Sequence, residues 1–346
     1  MEFEENVYNT HVLNIPTRSG LVLDEVLSAL QKDIRRGNWR AAVQWLLDAI
    51  WTGREKCLQN VETLCWNRLL IISIEDIGPA DYNAFLITYN YRSKYMASEN
   101  REEKDKMCYM VAKYLALCKK SRVNDWAIHS LSRYIEKQGL SWDNIYMNNK
   151  EKILEYINKD KTADPTSIIL ALLAAYNTSR TLENNIALSG TTKTIRSKKP
   201  ILSILRIILD YCQREEYILA CLDVMLDINR AQTAKINWHD KRWLLLYVHI
   251  AHIIFYRQYP AHMMTELSIA ENEEDEGKYR IYYNKNLVYD MKELEDVIPL
   301  PDYAIDMHTT RGRLKHRDYL HFLREGCLIT NPDKFWEDVS FIYLNI

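Results

Sequence analysis

Apolar residues recur at helical spacing through most of this chain, and that periodicity restricts the fold more than any other feature. The first stripe follows Leu21 and consists of Leu23, Val26, Leu27, Leu30 and Ile34. Side chains three and four residues apart lie on one face of an α-helix. Similar stripes run from Trp39 to Trp51 and from Val61 to Ile74. The chain therefore begins with a series of amphipathic helices.

Tight turns are rare in the rest of the chain. Only 9 Gly and 8 Pro occur among 346 residues, and further helical patterns follow one another closely. The sequence predicts an all-α fold, a multi-helix array with short connections. A loose alternation of apolar and polar residues between Tyr279 and Tyr289 allows at most one small β-hairpin.

The composition changes between Asn177 and Pro200, where Asn, Thr, Ser and Lys prevail. Polar clusters of this kind usually connect periodic segments. We therefore predict an N-terminal helical domain over residues 1–178, a loop or linker over residues 179–200, and a C-terminal helical domain over residues 201–346.

Charge, cysteine spacing and hydropathy predict the compartment. The formal net charge is −2, so the chain lacks the general positive field of a nucleic-acid coat protein. None of the 7 cysteines forms a Cys-x-x-Cys pair, which is typical of free thiols in a reducing compartment. No apolar run reaches the roughly 18 residues that a membrane span requires. We expect an intracellular protein, cytoplasmic or nuclear, or a viral protein in those compartments, without a membrane partner.

Three segments near the N-terminus carry a family resemblance. They are the basic helix end Leu30–Asn38, the Ala-Ala-Val-Gln-Trp-Leu run Ala41–Leu46, and the segment Arg68–Asp81, which contains Glu-Asp-Ile-Gly-Pro-Ala-Asp. In order and spacing they resemble the helical collar of the MgsA/WHIP family, replication- and repair-associated AAA+ ATPases related to clamp loaders. The resemblance covers residues 21–95, and Pro79 stands where the family prefers Leu.

The resemblance implies a helical, oligomer-forming body that works in DNA replication or repair. The ATPase part of that family has no counterpart in the sequence. Gly277-Lys278 is the single Gly-Lys pair, and Asn272 stands where a phosphate-binding loop requires its first glycine. We therefore expect no nucleotide, no cofactor and no catalytic residues of its own.

The Glu75-Asp76-Ile77-Gly78 segment predicts a corner between two helices. Gly78 can adopt a positive φ, and Asp81 is placed to cap the next helix. The carboxylates of Glu75 and Asp76 can accept backbone or arginine hydrogen bonds that fix this corner.

The tail holds the densest cationic cluster of the chain, Arg311, Arg313, Lys315 and Arg317 around Gly312. Arginine side chains match phosphate oxygens, which favours nucleic-acid contacts. Ion pairs with Asp302, Asp306 and Asp318 are the alternative. A third possibility is a metal-dependent nuclease centred on Asp306 and His308.

Two further groups of residues are candidates for binding nucleic acid or a metal ion. Arg35 and Arg36, with Lys32 and Arg40, lie beside Trp39 and are predicted to contact nucleic acid, although solvated helix faces explain them equally well. His249 and His252 lie one helical turn apart but lack the glutamate of a His-Glu-x-x-His motif. A packed helix with hydrogen-bonded histidines is favoured there, and no metal site is predicted.

These observations leave three functional hypotheses. The first is a non-catalytic replication or repair accessory protein that binds nucleic acid and forms homo-oligomers or binds a replication protein. The second is a structural or scaffolding helical protein that makes protein contacts only. The third is the nuclease at Asp306 and His308.

Overall fold

The computed structural model describes residues 12–147, 165–178, 184–187, 194–197, 221, 224, 240–256 and 299–345. Of this part, 77% is helical, which confirms the predicted all-α class. The hairpin predicted at Tyr279–Tyr289 lies outside the described residues. One two-stranded antiparallel pair is present elsewhere, with β1 at Asn184–Ala187 and β2 at Thr194–Ser197.

The chain divides into two compact units, and the division differs from the predicted one. The first unit combines Met1–Lys120 with Tyr283–Asp333, and the second combines Ser121–Tyr282 with Lys334–Ile346. The predicted boundary at residues 179–200 falls inside the second unit, where β1 and β2 lie. Within the described residues of this stretch, the chain forms the antiparallel pair β1 and β2.

Five long helices form the body of the first unit. They are α1 (Leu23–Arg36), α2 (Trp39–Glu55), α3 (Gln59–Ile72), α4 (Ala84–Ala97) and α5 (Arg101–Leu117). Gly37 adopts φ 73° and ends α1, because a left-handed residue cannot continue the helix. The apolar stripe of α1 predicted from the sequence is buried along its length.

A segment from the far end of the sequence covers the polar side of α1. It includes the short helical turn Asp302–Ala304 and the short helix Thr310–Leu314, followed by the turn Phe322–Gly326.

 We call residues 302–331 the clasp. Ser28 Oγ donates to the carbonyl oxygen of Ala304 at 2.7 Å, and the amide of Thr330 donates to the carbonyl oxygen of Arg35 at 2.9 Å. The polar face of α1 is thus paired with the clasp, which explains why this distant segment belongs to the first unit.

The described part of the second unit contains α6 (Val123–Lys137), α7 (Pro165–Asn177), α8 (Asp240–Phe255) and α9 (Lys334–Leu344). Asn124 on α6 lies between two buried histidines of α8: its Oδ1 is 2.7 Å from His252 Nδ1, and its Nδ2 is 3.2 Å from His249 Nδ1. The hydroxyl of Tyr343 on α9 is 3.0 Å from His252 Nε2. None of the helices in the described ranges is long and apolar enough to cross a membrane.

The apolar spacing of the first three helices predicts one N-terminal core formed by Trp39, Trp45, Leu46, Trp66, Leu69 and Ile72, and five of these six residues are buried. Trp45 is 3% exposed, and Leu46, Trp66, Leu69 and Ile72 are fully buried. The prediction is wrong for Trp39, which is half-buried because it stands at the first position of α2 and faces the unit's surface.

Replacing Trp45 by Ala should cost about 3–5 kcal/mol of unfolding free energy, because it leaves a cavity in this core. It also removes the indole N–H that donates to Asp33 Oδ2 at 2.8 Å. Urea unfolding followed by circular dichroism measures the loss. Gln44→Ala, at a half-buried neighbouring position, is the control, and a loss below about 1 kcal/mol for Trp45→Ala would contradict the assigned burial.

Candidate nucleic-acid interface

Two of the four tail cations are held in ion pairs within the first unit. The Arg311 guanidinium binds the Glu25 carboxylate of α1 through two hydrogen bonds, with Nε 2.6 Å from Oε1. The Arg317 guanidinium binds the Asp302 carboxylate at 2.5 and 2.6 Å. Hydrogen bonding to Arg317 lowers the pKa of Asp302 from its ordinary value. The ion-pair alternative therefore accounts for Arg311 and Arg317 without a phosphate partner.

The other two tail cations face solvent. Arg313 is exposed and donates to the carbonyl oxygen of His308 at 2.9 Å and to the hydroxyl of Thr310 at 3.2 Å. Lys315 is exposed, and no hydrogen bond or ion pair involves its side chain within the described residues. Phosphate contact stays a prediction for these two residues.

The Asp306 carboxylate is buried and forms an ion pair with Lys32. Its Oδ2 is 2.7 Å from Lys32 Nζ, and its Oδ1 is 3.3 Å from His308 Nδ1. Burial raises the pKa of Asp306, but the hydrogen bonds and the Lys32 charge outweigh it, so the pKa is lowered. Burial lowers the pKa of Lys32 to about 8 against the attraction of Asp306.

This geometry does not assemble the metal site that the nuclease hypothesis requires. Asp302 binds Arg317 and Asp306 binds Lys32, so the two carboxylates serve different cations. Throughout the described ranges, no group of three His, Cys, Asp or Glu side chains is placed to hold a metal ion. Asp306 is instead the carboxylate partner of Lys32 on α1, with the His308 ring beside it.

The predicted helix corner is fixed by Arg35. Its Nε is 2.6 Å from Asp76 Oδ1 and its Nη2 is 3.0 Å from Glu75 Oε1, so both acids of the motif accept arginine hydrogen bonds, as predicted. Gln31 adds a hydrogen bond of 2.8 Å to Asp76. Since Asp76 and Arg35 are both buried, removing either partner would leave an uncompensated charge. Arg35 therefore has a structural role.

Gly78 and Asp81 complete this corner. Gly78 has the predicted conformation, whereas Asp81 does not have the predicted role. Gly78 adopts φ 54°, as its type allows. Asp81 is not the N-cap of α4, because the turn Gly78–Asp81 intervenes and α4 begins at Ala84. Its carboxylate instead accepts hydrogen bonds from the Asn83 amide at 3.2 Å and from the Tyr114 hydroxyl at 2.8 Å.

A different set of cations lies on aromatic rings at the start of α2. The Arg40 guanidinium carbon is 4.5 Å from the centre of the Trp39 ring, and Lys113 Nζ of α5 is 4.0 Å from it. The Arg36 guanidinium carbon lies 3.7 Å above the ring of Tyr303. We call Arg36, Trp39, Arg40, Lys113 and Tyr303 the Trp39 surface.

A depression opens between the start of α2 and the residues before the clasp. Its volume is about 470 Å³. The lining residues are Asp33, Gly37, Asn38, Trp39, Arg40, Ala41, Pro299, Pro301 and Tyr303. Tyr303 donates its hydroxyl hydrogen to Asp33, and burial with this hydrogen bond raises the pKa of Tyr303, so the phenol remains a donor.

Arg36 and Arg40 are not bound by carboxylates in the way that Arg311 and Arg317 are, although Arg36 donates a hydrogen bond to the carbonyl oxygen of Glu325. No ion pair joins Arg36 or Arg40 to a carboxylate within the described part of the chain. The sequence identifies Arg36, Trp39 and Arg40 as neighbours, whereas Lys113 and Tyr303 reach them only through the fold. The basic residues Lys193, Lys198 and Lys199 lie outside the described residues.

No protein-family model matches the chain, and no curated protein or solved structure matches it either. The site therefore has to be interpreted from its own geometry.

Proposed function

We propose that the protein binds nucleic acid at the Trp39 surface as a non-catalytic accessory protein. The observation that carries this proposal is the placement of Arg36 and Arg40 on aromatic rings, without carboxylate partners, around one depression. A cation on a ring keeps its charge available, because the ring attracts it through a quadrupole and does not neutralise it.

The physical consequence is a small, pre-ordered cationic surface. Arginine and lysine side chains lose about 2 kcal/mol of rotamer entropy when they are fixed, and contact with Trp39 and Tyr303 has already restricted them. Phosphates attract such cations irrespective of base sequence. Aromatic side chains interleaved with cations are typical of surfaces that bind single strands.

The test removes two positive charges and keeps a polar side chain at each position. In the double variant Arg36→Gln, Arg40→Gln, the slope of log affinity against log salt should become shallower by about two units on duplex, because each lost phosphate contact removes about one. Affinity should fall similarly for all base sequences. Fluorescence anisotropy of a labelled oligonucleotide at several salt concentrations measures both quantities.

The matched control is Lys56→Gln with Arg101→Gln. Both residues are exposed, and they lie at the end of α2 and the start of α5, far from Trp39 along each helix. The control has the same change in net charge, so it should reproduce only the general electrostatic effect. Equal slopes in the two double variants would contradict a site at the Trp39 surface.

A role in replication or repair, and self-association, follow from the MgsA/WHIP resemblance of residues 21–95 and are part of the same proposal. Residues 21–95 include Arg36, Trp39 and Arg40, of which Arg36 lies in one of the three segments that carry the resemblance. Co-purification with replication proteins and a measured molar mass in solution would test these two points.

A second candidate function, a scaffold that makes protein contacts, is favoured by apolar side chains on the clasp. Leu314 is 75% exposed, Leu320 56% and Leu328 50%. All three belong to the clasp, and a contiguous apolar patch on it would be a contact site. Substituting all three by Ser should abolish self-association under this alternative and leave nucleic-acid affinity unchanged.

A further inference from the structure

The depression beside Trp39 has dimensions and walls that phosphate binding alone does not use. Its volume of about 470 Å³ lies within the roughly 300–1,000 Å³ typical of small-molecule pockets. Trp39, Pro299, Pro301 and Tyr303 supply flat apolar walls. A phosphate group would gain little from these walls, because it is strongly hydrated and makes polar contacts.

The polar groups of the depression include an acceptor of fixed orientation. The Asn38 amide nitrogen donates to Asp33 Oδ1 at 2.8 Å and lies 3.3 Å from the Tyr303 hydroxyl oxygen. A carboxylate accepts hydrogen bonds only, so it sets which end of the amide faces it. Asn38 Oδ1 is then left as an acceptor, and no hydrogen bond to it is present among the described residues.

We propose that this depression receives one unstacked nucleobase, so that the site takes single-stranded nucleic acid in preference to duplex. The inference rests on the proposed function. Arg40 lines the depression and Arg36 lies on the ring of Tyr303, which is another of its walls. The phosphates on either side of an inserted base would therefore lie near cations. The base itself would contact the apolar walls and donate an amino or imino hydrogen to Asn38 Oδ1.

A paired base cannot enter in this way. It is stacked on both faces and its hydrogen-bonding edge is occupied, so a duplex must first unpair at a cost of a few kcal/mol. A single strand has no such pairing cost. The preference for single strands thus follows from the shape and chemistry of the depression, whereas the salt dependence follows from Arg36, Arg40 and Lys113.

The experiment compares three probes on the unaltered full chain: a short single strand, the same strand with abasic sites, and the corresponding duplex. The abasic strand keeps every phosphate and removes the bases. The intact strand should bind about tenfold more tightly than either of the others, since stacking one base on aromatic side chains commonly contributes a factor of this order. The salt slopes of the intact and abasic strands should agree.

The location is tested with Asn38→Ala, for which Asn60→Ala at an exposed position of α3 is the control. Asn38→Ala removes the hydrogen bond that holds the base against Trp39 and Tyr303, so it should reduce the preference for the intact over the abasic strand to less than about threefold, and Asn60→Ala should leave it unchanged. An undiminished preference in Asn38→Ala would overturn the assignment of the base to this depression.

The failures of the inference and of the proposed function are distinguishable. Equal binding of the intact strand, the abasic strand and duplex, with a steep salt slope, overturns base insertion and leaves phosphate binding standing. The absence of salt-dependent binding to all three probes overturns both. Because the probe comparison uses the unaltered chain, it holds even where Asn38→Ala is unstable.

Discussion

Acidification from about pH 6.5 to about pH 4.5 should remove about 5 kcal/mol of stability from the second unit through His249 and His252. Burial lowers the pKa of each histidine from 6.5 to about 3, and for His252 the neighbouring His249 adds to it. Both rings are therefore neutral in the folded state. In the unfolded chain the two histidines take up protons below their ordinary pKa of 6.5. The stability that the neutral histidines contribute is therefore present above pH 6.5 and is lost as the pH falls towards 3.

Hydrogen bonds stabilise the neutral form of both histidine rings. Asn124 Oδ1 accepts from His252 Nδ1, which leaves His252 Nε2 as the acceptor for the Tyr343 hydroxyl. Asn124 Nδ2 in turn donates to His249 Nδ1. A proton on either accepting nitrogen would break a buried hydrogen bond that joins α8 to α6 or to α9.

Urea unfolding at a series of pH values measures this effect, with the double variant His249→Asn, His252→Asn as the comparison. The difference in unfolding free energy between the two proteins isolates the histidines, since the acidic residues titrate in both. Gln138→Ala, at an exposed position directly after α6, changes no titratable group; it is the control and should retain the wild-type pH dependence. A difference that does not change between about pH 6.5 and about pH 4.5 would show that the two rings are not buried and neutral.

The helices of the first unit could be predicted because their information is local. The stripe from Leu23 to Ile34 predicted a helix, and α1 occupies Leu23–Arg36 with Gly37 at its end. Apolar spacing and a left-handed glycine act within a few residues of one another. The same reasoning predicted that Glu75 and Asp76 would accept arginine hydrogen bonds.

The clasp could not be predicted because its partners are remote in sequence. Arg311 binds Glu25, 286 residues away. The sequence places Asp302, Asp306 and Asp318 near the cations around Gly312, so it leaves both ion pairs and a polyanion site open, and it does not indicate Glu25. The fold brings Glu25 of α1 to Arg311. The charge pattern of the tail segment alone does not predict this pairing.

Part of the Trp39 surface could be recognised from the sequence. Arg36, Trp39 and Arg40 are close in the sequence and were recognisable as a basic and aromatic group. Tyr303 and Lys113 join them from the tail and from α5, which only tertiary packing determines. The depression is formed by all of these elements together. The periodicity of a single helix therefore could not predict it.

Replacing Gly312 by Ala should destabilise the clasp by about 5 kcal/mol or more, although alanine is the better helix former by about 1 kcal/mol. A Cβ atom at Gly312 would overlap the carbonyl group of Asp306 and lie 2.9 Å from the Asp306 amide nitrogen. Backbone atoms cannot move aside as a flexible side chain can. The short helix would therefore separate from Asp306, which would break the Lys32 ion pair and the Arg311 contact with α1.

Hydrogen exchange at the amide of Thr330, which donates to the carbonyl oxygen of Arg35, reports whether the clasp stays on α1. Leu314→Ala is the matched control, because it lies in the same short helix and its side chain is 75% exposed. A loss below about 1 kcal/mol for Gly312→Ala would contradict the close approach of the two backbones.

The same variant connects the fold with the proposed site. Tyr303 and Pro301 reach the depression as part of the polypeptide that the clasp secures, whereas Arg40, Trp39 and Lys113 belong to α2 and α5. Release of the clasp in Gly312→Ala should therefore abolish the preference for a base-bearing strand over an abasic one. Part of the salt-dependent affinity should remain, because Arg40 and Lys113 stay in place. Retention of the full preference in a chain whose Thr330 amide exchanges freely would show that the base does not rest against Tyr303.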